Sequence, residues 1–111
     1  MRGPGAVITL CGSMRHVAKM ERLAAELTLA GHTVLAPTAV PAGTELTDDE
    51  RARLGRAHLE KVAVADEVLV VNVGGHLGDS TRREVEHARS CGVPVTYLEP
   101  RAEPVQGRTT R

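Results

Sequence analysis

Apolar residues fall along the chain in four short runs, separated by segments whose apolar positions repeat every three or four residues. Residues 6–11 read Ala-Val-Ile-Thr-Leu-Cys, a β-branched run with the character of a buried strand that ends at Gly12. Ser13 suits a helix N-cap, and Val17, Met20, Ala24 and Leu27 then mark one helical face. Gly31 closes that helix, as glycine commonly does just past a C-terminus. Residues 33–36 predict a second short strand, stopped by Pro37.

Residues 37–46 hold two prolines and a glycine and predict a loop. Thr47-Asp-Asp-Glu50 is a capping box, so a helix is expected to start there and run to about residue 65, with Gly55 a weak point inside it. Residues 67–72, Glu-Val-Leu-Val-Val-Asn, form the plainest strand. Near-continuous Val and Leu is what a strand covered on both faces shows. A glycine-rich turn over residues 73–78 leads into a helix from Asp79 or Ser80 to Cys91, ended by Gly92 and Pro94. Residues 95–98 predict the last strand. From Glu99 onward the composition turns polar and proline-containing, and a mobile tail over residues 99–111 is expected after a single domain over residues 1–98.

The order β-α-β-α-β-α-β with short connections predicts an α/β fold. Right-handed crossovers place helices on both faces of a parallel sheet of about four strands. The doubly wound, flavodoxin- or Rossmann-like order 2-1-3-4 fits best. Ligands in such sheets bind beyond the strand C-termini, where the strand order reverses. The first and third strands flank that point, and the two most unusual loops of the chain leave those same strands.

Composition sharpens this picture in three ways. The chain has no Trp, no Phe and a single Tyr, so the core must be aliphatic and no wall of aromatic rings is on hand for a ligand. Fourteen basic and fourteen acidic residues cancel, which leaves no global field for nucleic acid or a membrane surface, and neither is expected as a partner. The two cysteines, Cys11 and Cys91, match no zinc or redox spacing and read as reduced packing residues. No apolar run approaches membrane-spanning length and no signal peptide is read, so a cytoplasmic protein is expected. His16, His32 and His87 lack ligand-like spacing, and neither metal nor cofactor is expected.

The candidate chemistry lies in the two loops. In Cys11-Gly-Ser-Met-Arg15, Gly12 lets backbone approach a ligand, Ser13 offers a hydroxyl, and Arg15 a planar fork suited to phosphate. The plain alternative is a helix cap with an exposed arginine. In Gly74-Gly-His-Leu-Gly-Asp-Ser-Thr-Arg82, three glycines, two hydroxyls and a helix start form an anion nest. Two such loops facing one crevice point to phosphate or a similar anion.

Glu84 lies about one turn into the third helix, and its side chain can lean back toward the helix start. A carboxylate there can serve as nucleophile or base. Thr81-Arg-Arg-Glu84 is also a capping-box pattern, which leaves a purely structural role open. His58 and Lys61 sit one turn apart and could reach the crevice from its far wall, or be structural. Asn72 could bond a ligand or cap its strand, and Asp66 closes the preceding helix.

Together, Cys11-Gly-Ser-Met-Arg15, Ala65-Asp-Glu-Val-Leu-Val-Val-Asn72 with Gly74-Gly75, and Gly78-Asp-Ser-Thr-Arg-Arg-Glu84 with Ala88 resemble the nucleoside 2-deoxyribosyltransferase-like family. That family includes the deoxyribosyltransferases, the 2′-deoxynucleoside 5′-monophosphate N-glycosidases and CMP-type hydrolases. The resemblance spans nearly all of residues 7–98. It implies that Glu84 is the nucleophile and that Gly12, Ser13, Arg15, Gly78 and Ser80 bind a 5′-phosphate. His58, Asn72, Gly75 and His76 are its secondary candidates for sugar or base contacts. His58 stands where the monophosphate glycosidases carry an Asp that contacts the sugar, and His76 where close relatives often have Tyr.

The implied reaction is a retaining displacement at C1′ through a glycosyl-glutamate ester, resolved by water or by a second base. The implied partners are a nucleotide or nucleoside and a second copy of the chain, since relatives complete the site across a homodimer interface. Two other classes stay open. Phosphoribohydrolases share a Gly-Gly-x-x-Gly turn followed by a helical Glu, and a nucleotide-sensing module would bind without turnover.

Overall fold

A computed structural model of the chain describes residues 5–100. Four strands, β1 (Val7–Gly12), β2 (Thr33–Leu35), β3 (Glu67–Val71) and β4 (Val95–Tyr97), alternate with three helices, α1 (Val17–Leu29), α2 (Asp48–Ala63) and α3 (Asp79–Ser90). The strands form one all-parallel sheet in the order β2-β1-β3-β4. This is the doubly wound topology expected from the order of elements.

Alternation along the central strands feeds two cores. Ile8 and Leu10 of β1 and Val71 of β3 pack against Met20 of α1, with Leu23, Ala24 and Leu27 alongside. Cys11, Val68 and Val70 face the other way, onto Val62 of α2 and Val85 and Ala88 of α3. Val68 and Val70 are fully buried; burying a valine of this kind stabilises the fold by roughly 1.5–3 kcal/mol. With both faces of β3 covered, its sequence has no polar alternation to show.

Local signals explain where the elements begin. Thr47 caps α2 in a complete capping box, accepting from the Glu50 amide at 3.1 Å while Glu50 accepts from the Thr47 amide at 2.9 Å. Ser13 accepts from the Arg15 amide at 3.3 Å, but the chain first makes a single 3-10 turn, Met14–His16, so α1 starts three residues later than its cap suggested. Asp66 does more than close α2. Its carboxylate accepts from the Val7 amide at 2.7 Å and its own amide donates to the Val7 carbonyl at 2.8 Å, tying the starts of β1 and β3 together.

Glu99 opens the stretch expected to be mobile, yet it is held in place. Its amide donates to Asn72 Oδ1 at 2.9 Å, and its carbonyl accepts from Asn72 Nδ2 at 2.8 Å. The remainder of the expected tail, residues 101–111, lies outside the described residues.

Gly12 ends β1 under tight constraint. A Cβ there would stand 3.0 Å from the Val71 carbonyl oxygen and 3.3 Å from Val71 Cβ. The obstacle is backbone of the adjoining strand, paired with Gly12 itself. Gly12→Ala is therefore expected to destabilise the fold by about 1–3 kcal/mol, as overpacking does. Urea unfolding checks this, and an unchanged midpoint would show that β3 yields freely.

Candidate functional site

Chain connections leave β1 and β3 toward opposite faces of the sheet, which opens a crevice beyond their C-terminal ends. A cavity of about 390 Å³ occupies it, within the range of small-molecule sites. One wall is the 3-10 turn after β1, contributing Ser13, Arg15 and His16. The other is the turn into α3, contributing His76, Leu77, Gly78 and Thr81. Val71 and Val73 supply the apolar surface between them. Gly78 is the N-cap of α3 with no side chain to cap it, so the first amides of a twelve-residue helix begin at this wall.

A second group of side chains lies on the α2 side of the same strand ends. Glu84, one turn beyond Thr81 on α3, accepts a long hydrogen bond from Ser80 Oγ to Oε2 at 3.4 Å. Its Oε1 turns inward to 3.6 Å from His58 Nε2 and is buried with no hydrogen-bond partner. The same His58 Nε2 lies 3.4 Å from Cys11 Sγ. The start of α3 thus borders both compartments: Gly78 and Thr81 line the cavity, while Ser80 bonds Glu84, which lies against His58. Thr81 is helical and buried, so it caps nothing and the structural alternative for Glu84 does not form.

No protein-family model matches the sequence, and no curated protein does. Among solved structures, a 2-deoxyribosyltransferase of the psychrotolerant bacterium Bacillus psychrosaccharolyticus superposes with a TM-score of 0.62 at 25% identity, covering 95% of this chain and 80% of that one. This likeness supports a nucleoside 2-deoxyribosyltransferase-like family for the chain. A conserved protein of Enterococcus faecalis V583 shares the fold at 16% identity and a TM-score of 0.60, with 84% of this chain and 62% of that one covered.

Of the residues singled out in the sequence, Ser13, Arg15, Gly78 and His76 meet in the cavity. Ser80, Glu84 and His58 meet beside it. Gly12 does not line the cavity; it makes room for Val71. Of the two readings left open for Asn72, a ligand bond or a strand cap, the structure shows its side chain engaged at the end of β3: it is 1% exposed, and its amide group bonds the Glu99 backbone. The glycine turn is likewise engaged within the chain. Gly74 and Gly75 adopt positive φ of 75° and 81°, but the Gly74 amide donates to Glu99 Oε1 at 2.9 Å and the Gly75 amide to the Asn72 carbonyl at 2.7 Å. Those two amides are therefore already spent within the chain. Lys61 is turned away, donating to the Ala36 carbonyl at 2.7 Å and to Thr38 at 3.0 Å.

Two residues at the site escaped the sequence, His16 and Cys11, while Thr81 was already one of the two hydroxyls of the second loop. His16 and Thr81 line the cavity only because a 3-10 turn and the first turn of α3 aim them there. Cys11 meets Glu84 because strand alternation turns it toward α2 and α3. The adjacency of His16 to Arg15 was the one available signal.

Burial dominates the electrostatics of the second group. It raises the Glu84 carboxyl above its ordinary value, against the opposing pull of the Cys11 thiol, the Ser80 hydroxyl and the Arg83 charge. Burial, with the Lys61 charge adding to it, pushes His58 down to about 4. The imidazole is then neutral near pH 7, and its approach to Glu84 is a polar contact between groups rather than an ion pair. Cys11 is fully buried, and burial together with the Glu84 charge drives its thiol upward. It is no nucleophile. A relay would also need the carboxylate on the far imidazole nitrogen, whereas sulfur and carboxylate share Nε2 here.

Proposed function

We propose that this chain cleaves the N-glycosidic bond of a nucleoside 5′-monophosphate, with Glu84 as the nucleophile. The observation that carries the reading is the position of one desolvated carboxyl, Glu84, one turn along α3 from a cavity walled by Ser13, Arg15 and Gly78. The phosphate would lie between Arg15 and the first amides of α3, where a guanidinium fork and a helix N-terminus both favour an anion.

In the first step a Glu84 oxygen attacks C1′, the C1′–N bond breaks, and its electron pair leaves with the base, which takes a proton. In the second step water adds to C1′ and gives its proton to solvent, the ester bond breaks, and Glu84 is released as a carboxylate. A buried carboxylate is poorly solvated, which suits attack on a carbon that gains positive character in the transition state. Ser80, donating to Oε2, would hold the carboxyl in place.

The neighbour from B. psychrosaccharolyticus is a 2-deoxyribosyltransferase, so transfer to a second base is the competing reading. Chromatography of a panel of ribo- and deoxyribonucleoside 5′-monophosphates incubated with the protein separates the two. Base released without an added acceptor supports hydrolysis; exchange only when a second base is present supports transfer. No change in any member of the panel would refute both.

The pH profile carries a further expectation. Glu84 must be ionised to attack, and its carboxyl titrates above the ordinary glutamate value of 4.5. Activity should fall as pH drops through that raised value, placing the acid limb of kcat/KM above 4.5. His58, protonating only near 4, lies below the limb. A limb at or under 4.5 would mean that the reacting carboxyl is not the buried one.

A further inference from the structure

We propose that Cys11, His58 and Glu84 form a binding site for a single thiophilic divalent ion of the zinc class. The three residues come from β1, α2 and α3, and their donor atoms lie within 4.8 Å of one another. A tetrahedral ion with sulfur at about 2.3 Å and nitrogen at about 2.05 Å holds those atoms about 3.6 Å apart, and nitrogen and oxygen about 3.3 Å apart. The corresponding separations here are 3.4 Å from Cys11 Sγ to His58 Nε2 and 3.6 Å from His58 Nε2 to Glu84 Oε1. Two of the three donor–donor separations therefore already stand close to the edges of a coordination tetrahedron and the third lies within 4.8 Å, with the fourth corner left to water.

Two more features favour an ion. Glu84 Oε1 is buried and has no hydrogen-bond partner, a costly arrangement that coordination would relieve. Charge also balances: on binding, the Cys11 thiol gives its proton to solvent, and a thiolate, a carboxylate and a neutral imidazole around a doubly charged cation sum to zero. A neutral buried assembly avoids the penalty of an uncompensated charge. Thiolate and imidazole select zinc, cobalt or similar ions over magnesium and calcium, which require oxygen ligands. Occupation would take Glu84 Oε1 into coordination and so hold the carboxyl away from a substrate. That consequence rests on the proposed role of Glu84; the binding itself does not.

Titration of the untagged chain with Co²⁺ tests the site without substrate. The expected result is one ion per chain, displaced by Zn²⁺, with a near-ultraviolet thiolate-to-cobalt band and intense visible bands of a tetrahedral ion. Cys11→Ser, nearly isosteric, should abolish the thiolate band. Glu84→Gln should weaken binding by more than the roughly tenfold to hundredfold that losing an outer-shell partner costs. Cys91→Ser should change nothing, although Cys91 Sγ lies 3.8 Å from His87 Nε2 on the surface. No thiolate band in the wild type overturns the proposal. So does a band that survives Cys11→Ser or disappears in Cys91→Ser, which would assign the ion to the Cys91–His87 pair. Wild-type binding with no activity on any nucleotide would instead count against the proposed function and leave the ion site standing.

Discussion

Glu84→Gln is expected to bind a nucleoside 5′-monophosphate as the wild type does and to turn it over several orders of magnitude more slowly, because an amide cannot form the glycosyl ester. Ser80 can still donate to the amide oxygen at the position where it meets Oε2, and the side-chain volume is unchanged. The fold should survive, and its stability near pH 7 should be equal or higher. The sign follows from linkage: Glu84 titrates higher in the folded chain than in the unfolded one, so the native state loses stability as pH rises and the buried carboxyl ionises. Gln removes that penalty. Single-turnover base release, binding by calorimetry and a thermal melt read the three quantities separately. Turnover within about tenfold of wild type would remove Glu84 from the chemistry, whereas a lower melting temperature would mean that the carboxylate is well paired in the native state.

Arg15→Ala is expected to erase most of a preference for nucleoside 5′-monophosphates over nucleosides that reaches a hundredfold or more in kcat/KM, while activity on the nucleoside barely changes. Charge-assisted hydrogen bonds contribute about 1.5–3 kcal/mol each, roughly tenfold to a hundredfold in affinity. The cavity brings Arg15, Ser13 and the first turn of α3 to one place, more donors than a neutral 5′-hydroxyl can use. The Gly74 and Gly75 amides add nothing, being bonded to Glu99 and Asn72, so the arginine carries a larger share than a full glycine nest would have left it. Arg15→Lys should rescue poorly, since an ammonium is a point charge where guanidinium is a planar fork. If the nucleoside is the better substrate of the wild type, the two loops are ordinary helix starts and the phosphate assignment is wrong.

The sequence by itself determined the order of elements and the sheet they make. Strand runs such as Val68 to Val71, the Thr47–Glu50 capping box and the glycines after α1 and α3 are local signals. Short parallel connections then leave few topologies open. It also marked Ser13, Arg15, Gly78 and Glu84, because residues that must stand at strand ends and helix starts are set by position along the chain.

What only the tertiary structure decided is how those groups are spent. Asn72 and Gly74 carried the marks of ligand binding, yet both bond Glu99, a partner more than twenty residues away in a segment whose composition suggested disorder. Cys11 and His58 showed no mutual spacing, being 47 positions apart, yet strand alternation and the packing of α2 on α3 bring them to one carboxyl. The physical reason is the same in each case. Hydrogen bonding and desolvation depend on which neighbours fill the surrounding few ångströms, and for residues on β1, α2 and α3 those neighbours are chosen by the crossover of the chain, not by adjacent sequence.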